Sequence, residues 1–124
     1  PAIPLCDRGT VDGAAYWDGP GELWTAVGST WDAELRRYDA VIHLRTPSAE
    51  HGYNHQNPLR TENAADAAAV DLRIGHAWAP HPRVFTVEST SEFLSKVSRV
   101  LELLRAEMPD CCKRHRVPEV DGAR

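Results

Sequence analysis

This 124-residue chain holds only two lysines, one methionine, two phenylalanines and three cysteines, and several of these scarcities exclude something. Three cysteines, an odd number with Cys111 and Cys112 adjacent, do not build a disulfide framework; the reduced cytoplasm is the expected compartment. No apolar run approaches the roughly 18 residues of a membrane span, and no signal-peptide pattern opens the chain. Basic charge is not in surplus either. A net charge of −4 and a pI near 5.8 argue against a sequence-independent nucleic-acid binder, which usually carries a basic face. The expected partners therefore include no nucleic acid and no membrane span.

What is present is 42% apolar and 26% charged, a soluble globular balance. The length allows one domain, able to bury roughly two thirds of its unfolded surface. We place that domain at residues 1–110, with a polar tail at 111–124. Lys96 and Lys113 stand against twelve arginines. Arginine suits bidentate grips on phosphate or carboxylate, but a GC-rich genome gives the same ratio, and that reading comes first. The chain opens directly on apolar residues, Pro1 to Cys6, which reads as the start of a fragment.

Residues 2–6 read as a short strand, demoted to an edge or irregular position by Pro4. Helical turns are expected near 11–17, 22–27 and 31–38, separated by Gly19-Pro20-Gly21 and with Ser29 and Asp32 at capping-box spacing. The tryptophans among them read as core anchors, each worth roughly 2–3 kcal/mol when buried. Residues 39–45 give the clearest strand, apolar on both faces as in a helix-covered parallel sheet, with His43 packed under a helix. A polar loop over 46–58 precedes a long alanine-rich helix over 61–79, stopped by Pro80 and Pro82. Residues 84–87 form a third strand. Ser89 and Glu92 then cap a helix whose stripe is Phe93, Leu94, Val97, Val100, Leu101, Leu104 and Met108. This order is that of an α/β protein with a parallel sheet.

In such a sheet, ligands bind beyond the carboxyl ends of the strands. Asp7 and Arg8, Arg45, and Glu88 with Ser89 stand at those ends and are expected along one edge. An acid ending an apolar strand is a metal-orienting type of carboxylate. On the long helix Glu62, Asp66 and Arg73 share a face, with Arg60 at its entry. They read either as a solvated, salt-bridged face or as a lid over transferring phosphates. Asp71 falls on the opposite, packing side, without an assigned partner. His51 and His55 read as surface histidines, and Cys111-Cys112 with His115 lacks the usual gap between metal ligands.

Residues 7–17, Asp-Arg-Gly-Thr-Val-Asp-Gly-Ala-Ala-Tyr-Trp, resemble the Asp-Arg segment after the third strand of P-loop nucleoside and nucleotide kinases. They are closer still to the NadR-type AAA domain, an ATP/GTP-binding P-loop family. Residues 38–47, the Asn57-Pro58-Leu59-Arg60 segment with its helix, and residues 84–90 are similar to that family's fourth strand, lid and fifth strand. The resemblance implies a three-layer α/β/α P-loop NTPase-like parallel sheet. It also implies Mg²⁺ with ATP or GTP, a small nucleoside-like or other hydroxyl acceptor, catalytic Asp7 and Arg8, and phosphate-binding Arg45, Arg60 and Arg73. The departure is large: Gly-x-x-x-x-Gly-Lys-Ser/Thr occurs nowhere, and neither lysine follows a glycine loop. The expectation is an incomplete domain, the C-terminal two thirds, without N-terminal strand or P-loop. Nucleotide is then not expected on this chain alone. A nucleotide-dependent binding module without phosphoryl transfer, and an inactive fragment, are the alternatives. Only Tyr16 or Trp17 could stack a base in an acceptor pocket.

Overall fold

The computed structural model describes residues 2–46, 63–89 and 92–113. A 3-10 turn at Thr10–Asp12 leads into α1 (Gly13–Tyr16), followed by α2 (Leu23–Ala26), α3 (Trp31–Leu35) and β1 (Val41–Leu44). Then come α4 (Ala64–Trp78), β2 (Val84–Val87), α5 (Phe93–Glu107) and α6 (Asp110–Lys113). β1 and β2 pair in parallel, Val41 opposite Val84 and Leu44 opposite Val87. The β-branched residues expected to form strands form them, and α4 is the crossover helix that a parallel pair requires. The α/β class and the parallel pairing expected from the sequence are both present.

Three local expectations are corrected. Residues 2–6 form no strand and are exposed, Ile3 and Leu5 included. Pro4 lacks the N–H that a ladder needs, and among the described residues the sheet has two strands, neither paired with this segment. The cap of α3 is Thr30, whose hydroxyl accepts from the Ala33 N–H, while Ser29 donates to the Glu34 carboxylate instead. α5 starts at Glu92 as N-cap, without a side-chain cap bond, and Ser95 donates to the Glu92 carboxylate. α6 closes the described residues, and 114–124 of the expected tail lie outside them.

The core is small and sits at the amino-terminal edge of the sheet. Val11, Leu35, Ala77 and Trp78 pack together, with Tyr38, Val41, Ile74 and Val84 against them. Trp78 is its anchor. Its indole meets Tyr38 edge-on at 5.1 Å and donates to Asp12 Oδ1 at 2.5 Å. Trp24 is buried as well, whereas Trp17 and Trp31 are half-exposed. Trp31 nonetheless donates to the Ala77 carbonyl at 2.9 Å, tying α3 to the end of α4. The expected α5 stripe is not the covered face: Phe93 and Leu94 are each 75% exposed and Leu101 is exposed too, while the buried residue of the helix is Leu103, which lies outside that stripe. Two strands are too narrow to cover the whole face, and among the described elements β2 is the one packed most closely on that helix.

Candidate functional site

The strands deliver residues to two separate places. At the carboxyl edge, Arg45 and Glu88 leave β1 and β2 side by side, because Leu44 pairs with Val87. The Arg45 N–H continues the ladder by donating to the Val87 carbonyl at 3.0 Å. His43 and Arg45 are two residues apart and share a strand face. α4 lies over that face, with Gly75 above the His43 ring.

From α4 the Asp71 carboxylate, 5% exposed, enters between them. Its Oδ2 accepts from Arg45 Nε at 2.6 Å and its Oδ1 lies 2.8 Å from His43 Nε2. A carboxylate only accepts, so the imidazole N–H donates. The Thr46 N–H adds a longer contact to the same Oδ1 at 3.4 Å. Both carboxylate oxygens are thereby occupied, as a buried charge requires. Arg45 itself is one-third exposed. Held by Nε, it leaves its terminal nitrogens without a protein acceptor among the described residues.

Lys96, reaching in from α5, completes this edge. Its ammonium donates to the Arg45 carbonyl at 2.7 Å. Burial pushes its pKa below the usual lysine range, opposed by the charges of Asp71 and Glu88. Two cations, one of them braced by a buried acid, thus stand beyond the carboxyl ends of a parallel pair. In chemical terms both are groups that can donate to an oxyanion.

The second place is built from α1 and the other face of α4. Gly9 packs against the Trp78 indole and the Tyr38 ring, and the Thr10 N–H donates to the Tyr38 hydroxyl at 2.7 Å. Tyr38 and Trp78 lie before the amino ends of β1 and β2. The turn carrying Asp7 and Arg8 is therefore at the opposite end of the sheet from Glu88, and the expectation of one shared edge is not met. The unpaired segment 2–6 gives no strand to carry Asp7 upward. Arg8 adopts a left-handed backbone with φ of 74° and points its guanidinium at the Tyr16 hydroxyl, 3.4 Å away, and Asp12, 3.9 Å away. Arg73 lines an open cleft of about 340 Å³ with Tyr16, Trp17, Asp18 and Val70. Arg8 and Arg73 thus both come near Tyr16, while Arg45 lies across α4 from Arg73. Arg60, Glu62, His51 and His55 fall outside the described residues.

A family model described as an AAA domain matches residues 1–93. The chain belongs to that AAA-domain family. No curated protein and no solved structure matches it. The α/β fold with its parallel strands is consistent with a P-loop AAA-type domain. Nucleotide binding is the general property that comes with this family, and AAA-type P-loop domains generally use a Mg²⁺-nucleotide. Among the described residues this edge offers two cationic hydrogen-bond donors and the carboxylates Asp71 and Glu88. Asp71 has no lone carboxylate oxygen to offer, and no group of three or more His, Cys, Asp or Glu residues could hold an ion. No described helix is long and apolar enough to cross a membrane.

Asp71 and Lys96 are the site residues that sequence reasoning did not assign. The signal for Asp71 was present: an acid on the apolar side of a helix demands a partner, and His43 and Arg45 offered themselves on one strand face. Lys96 was judged only by its lack of a glycine loop, and nothing in the sequence showed that α5 would bring it to the Arg45 carbonyl.

Proposed function

We propose that this AAA domain binds nucleotide phosphates along the carboxyl edge of its sheet, with Arg45 and Lys96 facing the anionic end. The reaction class is phosphoryl transfer to a small nucleoside-like or other hydroxyl acceptor. The observation that carries this is the buried Asp71 carboxylate fixing Arg45 by Nε, a geometry that presents the guanidinium rather than burying it. In such a transfer Arg45 and Lys96 would neutralise charge developing on the transferred group. Arg60, the other phosphate-binding candidate of this region, lies outside the described residues. Asp7 and Arg8, which precede the turn packed on Trp78, are left outside this proposal.

A second reading is a nucleotide-dependent binding module without transfer. It is favoured by one observation: the Tyr16–Trp17–Arg73 cleft lies on the other face of α4 from Asp71. A base stacked there would stand apart from phosphates at Arg45, so occupancy of one place could change the other only through the helix.

Titration of ¹⁵N-labelled protein separates the two. ATP should perturb the amides of residues 44–46, 87–89 and 96. Adenosine should perturb residues 16–18 and 73 if the cleft takes a base, which favours the module. Adenosine acting at the edge itself favours transfer there. ATP perturbations confined to residues away from 44–46 and 87–89 would reject both. With no glycine loop in its sequence, this chain should bind ATP only weakly at that edge, so those shifts should stay far from saturation at micromolar ATP and should not depend on Mg²⁺.

A further inference from the structure

Away from both places, α6 carries two adjacent thiols in an arrangement with its own chemistry. Cys111 is exposed and Cys112 half-buried, and their sulfurs are 3.8 Å apart. The turn is fixed by the Pro109 carbonyl, which accepts from the Cys112 and Lys113 N–H groups at 2.8 and 3.2 Å. Asp110 engages the Lys113 ammonium at 3.2 Å, which keeps that cation on the Asp110 carboxylate. We propose that Cys111 and Cys112 form a two-thiol chelating site for trivalent arsenic compounds, taking a mono-organoarsenical as one bridging group per chain.

Three kinds of thiol chemistry compete for such a pair, and the geometry separates them. A disulfide needs sulfurs at about 2.05 Å and Cα atoms at least about 4.4 Å apart. Neighbouring Cα atoms on a trans peptide are only about 3.8 Å apart. Closing the bond would thus distort the α6 turn. A bridging atom asks less. It bonds each sulfur separately, so the sulfurs stay apart and the turn is kept.

A divalent cation is disfavoured for a different reason. It requires thiolates and releases protons, and it usually wants four ligands. The Cys112 thiol is pushed above its ordinary range, first by its hydrogen bond with Cys111 and then by burial. Among the described residues no third ligand joins the pair. Trivalent arsenic accepts protonated thiols. With phenylarsine oxide the arsenic–oxygen double bond breaks and two arsenic–sulfur bonds form. Both thiol protons leave with the oxygen as one water, and no atom changes oxidation state.

The test is intact-protein mass spectrometry of the reduced full chain with phenylarsine oxide, in excess glutathione. One arsenical per chain is expected, with the mass corresponding to loss of one water. It should be retained against glutathione and removed by 2,3-dimercaptopropanol. Closing the second bond within one chain strengthens retention by about 10²–10⁴-fold over a single thiol. Cys111→Ser and Cys112→Ser should each lose the adduct to glutathione, while Cys6→Ser should keep it. Circular dichroism of the serine variants checks that the fold is retained. Retention in either α6 variant would overturn the proposal. So would loss of the adduct from the wild type at the same glutathione concentration, or rapid conversion of the pair to an internal disulfide, two mass units lighter, under mild oxidation.

Discussion

Replacing Asp71 by alanine tests the buried cluster most severely. The substitution strands His43, which is 8% exposed and loses its partner at 2.8 Å, and Arg45, which loses its contact at 2.6 Å. Breaking a buried ion pair costs about 3–5 kcal/mol. That range is a ceiling here, because the Arg45 side chain is 33% exposed and can be rehydrated. Within that ceiling the orphaned imidazole accounts for about 1–3 kcal/mol. Together these give an expected loss of about 2–4 kcal/mol for Asp71→Ala. Asp71→Asn keeps the shape and one accepting oxygen while losing the charge. It should cost about half as much, since bonds to neutral groups are roughly half as strong as those to charged ones. Urea unfolding followed by far-ultraviolet circular dichroism, with an unchanged m-value, measures both. An Asp71→Ala loss below about 0.5 kcal/mol would refute the reasoning, since that is the range of an inert surface change. So would equal losses for alanine and asparagine.

Two further predictions concern the opposite end of the sheet. The Glu34 carboxyl is held below the usual glutamate range, mainly by the Ser29 hydroxyl and then by the Thr10 hydroxyl. A lowered folded pKa means that this stabilisation is complete above the unfolded value, about 4.3, and is lost as pH falls through the folded one. Urea midpoints taken from about pH 6 down to about pH 3 should therefore fall more steeply in wild type than in Glu34→Gln; parallel slopes would contradict the network. Gly9→Ala places a methyl into the Trp78 indole and within 3.2 Å of Tyr38 Cζ, although its φ of −110° suits any residue. The cost is steric, about 1–3 kcal/mol, and a thermal melt unchanged from wild type would show that the turn does not sit there.

Much of this structure was legible because it depends on local pattern. The β-branched runs 41–44 and 84–87 and the alanine-rich stretch between them state a parallel pair with a crossover helix. The breaks at Pro80, Pro82 and Pro109 end elements where backbone donors run out. Less legible was anything set by which side of the sheet a segment reaches. Asp7 reads as a strand-end acid only if residues 2–6 form a strand. Without that strand, Gly9 is drawn to the Trp78 and Tyr38 rings by burial, and its neighbours follow. The α3 cap moves by one residue, from Ser29 to Thr30, because Ser29, Thr30 and Glu34 can exchange roles within one turn, and spacing alone does not rank them. The coverage of the α5 stripe likewise depends on how wide the sheet is, which the periodicity of a helix does not encode.

In the proposed function, Asp71 braces Arg45 so that its terminal nitrogens receive an oxyanion beside Lys96. Pyrophosphate titration, read from the Arg45 Nε–Hε signal in ¹H–¹⁵N spectra of wild type and Asp71→Asn, tests it directly. In wild type the signal should be protected from exchange and should shift on titration, together with the amides of residues 45 and 88. Asp71→Asn should weaken binding about tenfold, the equivalent of about 1.4 kcal/mol, while Arg45→Ala should abolish the edge response. Equal affinities for wild type and Asp71→Asn, or pyrophosphate shifts centred on Asp7 and Arg8 instead, would contradict the account.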